Sequence, residues 1–99
     1  MAKVRLTPRA ERDLEEIWQY TVQEWSSAQG GKVVASLLNA MALLAKDPSR
    51  RRSAEKIRAG YRRRNVGAHV IFYKQTDDGS AIVRVLHQRM DLESQLEAE

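Results

Sequence analysis

Between Arg50 and Arg64 the chain carries eight bases, seven of them arginine, against a single acid, Glu55, for a local charge of +7. These bases are Arg50, Arg51, Arg52, Lys56, Arg58, Arg62, Arg63 and Arg64. A guanidinium is a planar fork of donors that matches a phosphate or a carboxylate and keeps its charge at any working pH. The chemistry suggested is therefore recognition of an anion, and an acidic partner is expected. Other reactive groups are sparse. The absence of cysteine excludes thiol catalysis, a disulfide scaffold and a Cys-ligated zinc site together. The two histidines, His69 and His87, are too few for a metal cage, so neither metal nor cofactor is expected.

The remaining charge is unevenly spread. Residues 1–49 hold six bases and six acids, whereas beyond Met90 the acids Asp91, Glu93, Glu97 and Glu99 face no base. A neutral half, a basic middle and an acidic tail result. At 99 residues, with 42% apolar and 30% charged, the chain reads as one domain spanning 1–99. A chain of this size buries only about 60–65% of its unfolded surface, so part of its stability is expected from packing on a partner. No run of 18 apolar residues occurs and Met1–Leu6 lacks an apolar secretion signal, which reads as a cytoplasmic protein without membrane contact.

Periodicity supplies the elements that hold these residues. Val4 and Leu6 alternate with Lys3 and Arg5 as in a short strand. Thr7-Pro8 has the form of a helix start, a hydroxyl for an orphan amide followed by a proline whose missing N–H costs nothing there. Ala10, Leu14, Ile17, Trp18, Thr21, Val22 and Trp25 then recur at helical spacing, with both tryptophans expected in the core. Ser26-Ser27-Ala28-Gln29 resembles a capping box, which restarts a helix despite Gly30-Gly31. Its stripe is Val33, Val34, Leu37, Leu38, Met41, Leu44 and Ala45, and Asp47-Pro48 ends it. Strands follow at Tyr61–Val66, His69–Gln75 and Ala81–Leu86, and Leu92 and Leu96 give Asp91–Glu97 a weak helical spacing. The expected architecture is α+β: an N-terminal strand, an antiparallel helical hairpin on a mostly antiparallel sheet of three to four strands, and a short C-terminal helix.

The strands do not alternate as a sheet covered on one side should. Ala81, Val83 and Val85 form a wholly apolar set, as do Val70 and Phe72, and both are expected in the core. The other set mixes Ile82, Arg84 and Leu86 with His69, Ile71 and Tyr73, joined by either Tyr61 and Arg63 or Arg62 and Arg64 according to register. Apolar area ringed by tyrosine and arginine has the composition of a docking surface. That mixed face is expected to turn away from the helices.

The succession Leu6-Thr7, Ala10, Asp13-Leu14, Ile17, Tyr20-Thr21, Trp25, Pro48, Gly60-Tyr61-Arg62-Arg63, His69-Val70-Ile71-Phe72-Tyr73 and Arg84-Val85-Leu86-His87-Gln88-Arg89-Met90-Asp91 resembles the ParE branch of the ParE/RelE toxins of bacterial toxin–antitoxin systems. The likeness spans nearly the whole chain, and its most specific pieces are Gly60–Arg63 and Arg84–Asp91. It implies a toxin that poisons DNA gyrase, blocks replication and stabilises the plasmid or genome that carries it. It also implies a ParD-type antitoxin, in a hetero-oligomer, whose acidic segment folds onto the toxin. DNA would be met only indirectly, through antitoxin or gyrase. Partner contacts are expected from Tyr61, Arg62, Arg63, Arg64, Tyr73, Arg84, His87, Arg89, Met90 and Asp91.

Two alternatives accompany this expectation. RelE-type relatives cleave messenger RNA on the ribosome, which needs a group to activate the ribose hydroxyl, cations for the phosphate and a proton donor. His87, Glu55 and Tyr73 are the proton-transfer candidates, with Arg62, Arg64 or Arg84 for charge. The sequence lacks the basic, aromatic terminus of that branch, which favours a protein inhibitor with no catalytic residue of its own. The other alternative is a plain nucleic-acid-binding module whose arginines neutralise phosphates.

Overall fold

The computed structural model describes residues 3–46, 52–53, 60–77 and 79–90. The chain runs β1 (Lys3–Leu6), α1 (Pro8–Glu24), α2 (Ser27–Lys46), β2 (Arg52–Ser53), β3 (Arg62–Val66), β4 (His69–Thr76) and β5 (Gly79–His87). The expected α+β order is therefore present. The sheet order is β1-β5-β4-β3-β2, with β1 parallel to β5 and the other pairs antiparallel. The two-residue β2, inside the basic stretch, is a strand that periodicity is too short to show. The expected helix at Asp91–Glu97 and the stop at Asp47-Pro48 lie outside the described residues. Among the described residues no helix is long and apolar enough to cross a membrane.

Each helix begins where the side chains can satisfy its first amides. Thr7 is extended at ψ 157°, its hydroxyl accepts from the Ala10 N–H at 3.1 Å, and Pro8 opens α1. The same hydroxyl donates to the Val83 carbonyl at 2.9 Å, so one side chain caps the helix and fixes it to β5. Ser26 accepts from the Gln29 N–H at 3.1 Å and starts α2 after a break at Trp25. At the other end of α2 the buried Ser80 hydroxyl donates to the Leu44 carbonyl at 3.1 Å, one of the acceptors a helix end leaves open. Gly30, read in sequence as a cost, sits where the helices cross. A Cβ there would lie 3.0 Å from Val22 and 3.1 Å from the Trp18 ring.

The core has two parts, one on each side of the sheet. Ile71, Tyr73, Ile82 and Val85 pack against Ala10, Leu37, Ala40, Met41 and Leu44 of the helices. Tyr61, Val70, Phe72, Val83 and Leu86 form a second buried cluster. This inverts the expected faces: Ile71 and Tyr73 lie under the helices, and Val70 and Phe72 lie on the far side. The cause on β5 is a bulge. Phe72 pairs with Arg84 and Tyr73 with Ile82, so Val83 has no opposite residue, and strict two-residue counting slips there. Ile82 and Val85 thus share the helix side although their numbers differ in parity. Trp18 and Trp25, expected in the core, are 39% and 76% exposed. Helical spacing marks a stripe, and this stripe is wider than the surface that α2 and the sheet can cover.

Candidate cleft beside helix α1

Beyond Leu6, β1 ends while β5 continues, and α1 takes over that edge of the sheet. Thr7 N–H donates to the Ile82 carbonyl at 3.0 Å. Further along, Asp13 Oδ2 accepts from the Val85 N–H at 2.9 Å and from Arg84 Nε at 2.8 Å, while Oδ1 accepts from Arg84 Nη2 at 3.2 Å. Arg9 Nη1 stands 3.2 Å from the same carboxylate. Asp13 and Arg84 are each 3% exposed. A pair so buried is tolerated because the fork fills both oxygens and the spare lone pair takes the β5 amide.

Above this pair opens a cleft of about 380 Å³ between α1 and the end of β5, walled by Glu16, Ile17, Tyr20, His69, His87, Arg89 and Met90. It runs into a second hollow of about 390 Å³ that shares Ile17, Tyr20, His69, His87 and Arg89 and extends to Thr21, Trp25 and Val33. Together they make one groove along α1. Tyr20 is 63% exposed and stands beside it, as does Trp25. The turn that closes the groove is held by backbone bonds from Gln88 to the Ala68 carbonyl and from Met90 to the His87 carbonyl. Gly67, with φ +58°, is the first central residue of the two-residue β3–β4 loop, the place where a II′ turn needs glycine.

The two histidines meet in this groove. They are cross-strand partners, with ring centroids 5.5 Å apart and edge-to-face. His87 Nδ1 accepts from the Arg89 N–H at 3.1 Å, which leaves Nε2 to carry the proton of the neutral ring. Burial, and after it the neighbouring His87, holds the pKa of His69 below the ordinary 6.5. His69 is thus neutral at physiological pH.

The residues singled out in the sequence are not brought to one face. His87, Arg89 and Met90 line the groove. Arg84 lies beneath it, turned toward α1 and engaged by Asp13, so its expected place on a docking face away from the helices is corrected. Tyr73 is fully buried in the helix-side core, and Tyr61 is buried on the far side with Lys74 Nζ 4.8 Å above its ring. Both therefore depart from the expected exposed ring of tyrosines. Register settles the arginines: Arg62 opposes Tyr73 and Arg64 opposes Ile71, while Arg63 opposes Phe72 on the far side, 5.9 Å above its ring. Asp91 lies outside the described residues. Sequence reading quoted Asp13 and Tyr20 only as part of the resemblance and gave neither a role, and it placed Trp25 in the core. Asp13 did leave a trace, since it falls three residues after Ala10 and four before Ile17, where an inward-facing residue belongs.

Comparison with known proteins agrees with this architecture. The family model described as ParE toxin of type II toxin-antitoxin system, parDE, matches residues 4–92. Toxin ParE1 of Mycobacterium tuberculosis (strain CDC 1551 / Oshkosh) is 40% identical over 92 residues, covering 92% of this chain and 94% of its own. Toxin ParE1 of Caulobacter vibrioides (strain ATCC 19089 / CIP 103742 / CB 15) is 38% identical over 96 residues, covering 97% and 99%. Two solved structures share the fold. The chromosomal ParDE system from P. aeruginosa superposes with a TM-score of 0.77 at 16% identity, over 88% of this chain and 96% of that one. The toxin-antitoxin complex RelBE2 from Mycobacterium tuberculosis does so with a TM-score of 0.66 at 23% identity, over 87% and 90%. With the family pattern matched along most of its length, and with relatives this similar end to end, the chain belongs to the ParE toxins of type II toxin–antitoxin systems.

Proposed function

We propose that this toxin inhibits DNA gyrase as a protein ligand, without chemistry of its own, and is held inactive by a ParD-type antitoxin seated in the groove along α1. The observation that carries the reading is that groove: an apolar floor at Ile17, exposed aromatic rings of Tyr20 and Trp25 beside it, and Arg89 and Met90 at its mouth. Aromatic, Met and Arg anchors around an apolar centre are the composition of a protein interface. An antitoxin segment that orders on binding would cover it and remove the exposed rings from water. The gyrase target rests on family membership. The ribonuclease alternative would draw its phosphate contact from Arg62, Arg64 or Arg84, and of these Arg84 is spent on Asp13.

The test is expression of the toxin from an inducible promoter, alone and with the cognate antitoxin, followed by assays of gyrase and of RNA. Toxin alone is expected to accumulate cleaved DNA on gyrase and to inhibit supercoiling, with messenger RNA intact and both effects abolished by the antitoxin. Codon-positioned RNA cuts that disappear in His87→Ala would establish the ribonuclease instead.

A further inference from the structure

Where β5 walls the groove along α1, two of its backbone groups are left without a bond. β1 runs beside β5 only as far as the Leu6–Ile82 pair, and beyond it α1 and its cap stand in for a neighbouring strand. Thr7 serves the Ile82 and Val83 carbonyls, and Asp13 serves the Val85 N–H. On the β4 side, the Gln88 N–H donates to the Ala68 carbonyl. This makes His69 and His87 a close pair that exchanges no backbone bonds, as Ile71 and Val85 are two residues further in. The N–H and C=O of both Val85 and His87 therefore point away from β4, toward α1. Asp13 takes one of these four groups, and the Met90 N–H takes another, the His87 carbonyl. Among the described residues the Val85 carbonyl and the His87 N–H have no partner. Val85 is buried, and main-chain groups so little wetted are normally bonded.

An acceptor and a donor on either side of Leu86 are what a strand offers to a neighbour. An extended residue opposite Leu86 that runs parallel to β5 takes up both, and an antiparallel stretch takes them up with the residues on either side of that one. A helix laid in the groove spends its main-chain groups on its own turns and would leave both unbonded. The faces of β5 also select side chains. Leu86 points to the far side of the sheet, whereas Val85 packs on the helix side. Side chains of an added strand alternate likewise, so the residue opposite Leu86 turns to the far side and its two neighbours turn into the groove, toward Ile17, Tyr20 and Met90. Apolar residues suit both of those places. We infer that β5 takes up an extended stretch of the antitoxin by strand addition at Val85 and His87, with an apolar residue on each side of the one that faces Leu86. This rests on the reading of the groove as the antitoxin's seat, and it adds how the partner is held: main-chain bonds fix its register, and the rings of Tyr20 and Trp25 flank it.

The experiment is amide hydrogen exchange followed by NMR, on the isotope-labelled full-length toxin, free and in complex with its labelled full-length cognate antitoxin. In the free toxin the Leu86 amide, which is bonded to β4, is expected to exchange slowly and the His87 amide fast. In the complex the His87 amide should slow by at least about tenfold, since it then opens only when the partner strand does. It should also show a through-bond coupling to one antitoxin carbonyl carbon. The antitoxin amide coupled to the Val85 carbonyl should belong to that same residue if the added strand is parallel, and to the residue two places along if it is antiparallel. Slow exchange of the His87 amide in the free toxin, or protection in the complex without any such coupling, would overturn the inference. Antitoxin affinity that falls in Trp25→Ala while the His87 amide of the wild-type complex still exchanges freely would strike strand addition and leave the groove as the antitoxin's seat. Unchanged affinity in that variant together with an unprotected His87 amide would strike both.

Discussion

Asp13 holds three groups together, since its two oxygens serve an arginine, a strand amide and a second arginine at once. Removing it leaves Arg84 charged and buried, which in comparable pairs costs about 3–5 kcal/mol. Asp13→Ala is therefore expected to lower stability by that order, read as a fall in denaturant midpoint at constant m-value. A loss under 1 kcal/mol would mean that water reaches Arg84 and that the pair is not buried in solution. His69 yields a prediction in pH. Its folded pKa lies below 6.5, so in the interval between the two values the unfolded chain binds more protons than the native one. Stability must rise with pH across that interval and fall as acid is added from 6.5 downward. His69→Gln should flatten this slope, and denaturation midpoints measured on either side of 6.5 that still show it would place the titrating group elsewhere.

The elements were legible wherever a start or stop has its own chemistry. Thr7-Pro8, the serine before Gln29 and the Gly67-Ala68 loop each announce a boundary through an amide that needs an acceptor or a backbone that needs glycine, and all three stand where they were expected. The faces of the strands were not legible. Period-two counting sorts β4 into two correct sets but says nothing of which set the helices cover, and on β5 the bulge at Val83 changes the count midway. The arginine on β5 was misplaced for a related reason, since the acid that draws it toward α1 is 71 residues earlier in the chain. Gly30 and Gly31 show that composition alone misleads at this scale. Both lower helix propensity, yet a side chain at Gly31 meets nothing within 4 Å, whereas one at Gly30 meets Trp18 and Val22. Gly31→Ala is expected to stabilise the protein by up to about 1 kcal/mol. Gly30→Leu should destabilise it by about 1–3 kcal/mol by forcing α1 and α2 apart. Equal effects at the two positions, measured by thermal unfolding, would remove the helix crossing as the reason for Gly30.

At the scale of the whole molecule, the helices cover the middle of one sheet face, and the end of β4 and β5 that carries the two histidines extends beyond them. The expected docking face is divided in the structure: Ile71, Tyr73 and Ile82 are closed over by the helices, whereas Tyr61 and Leu86 lie in the cluster on the far side. Exposed aromatic rings are costly to keep in water, and a small domain retains them where a partner removes them. Trp25, at 76% exposed, contributes little to its own fold, so Trp25→Ala should change stability by no more than about 0.5 kcal/mol. If the groove seats the antitoxin, the same substitution should cost at least about 2 kcal/mol of binding, near thirtyfold in Kd, as buried aromatic anchors do. Tyr20→Ala should behave alike, and the pair should be less than additive because both rings border one hollow. Titration calorimetry with the cognate antitoxin decides the matter. Unchanged affinity in both variants, with the fold intact, would move the antitoxin off α1 and leave the groove without an occupant.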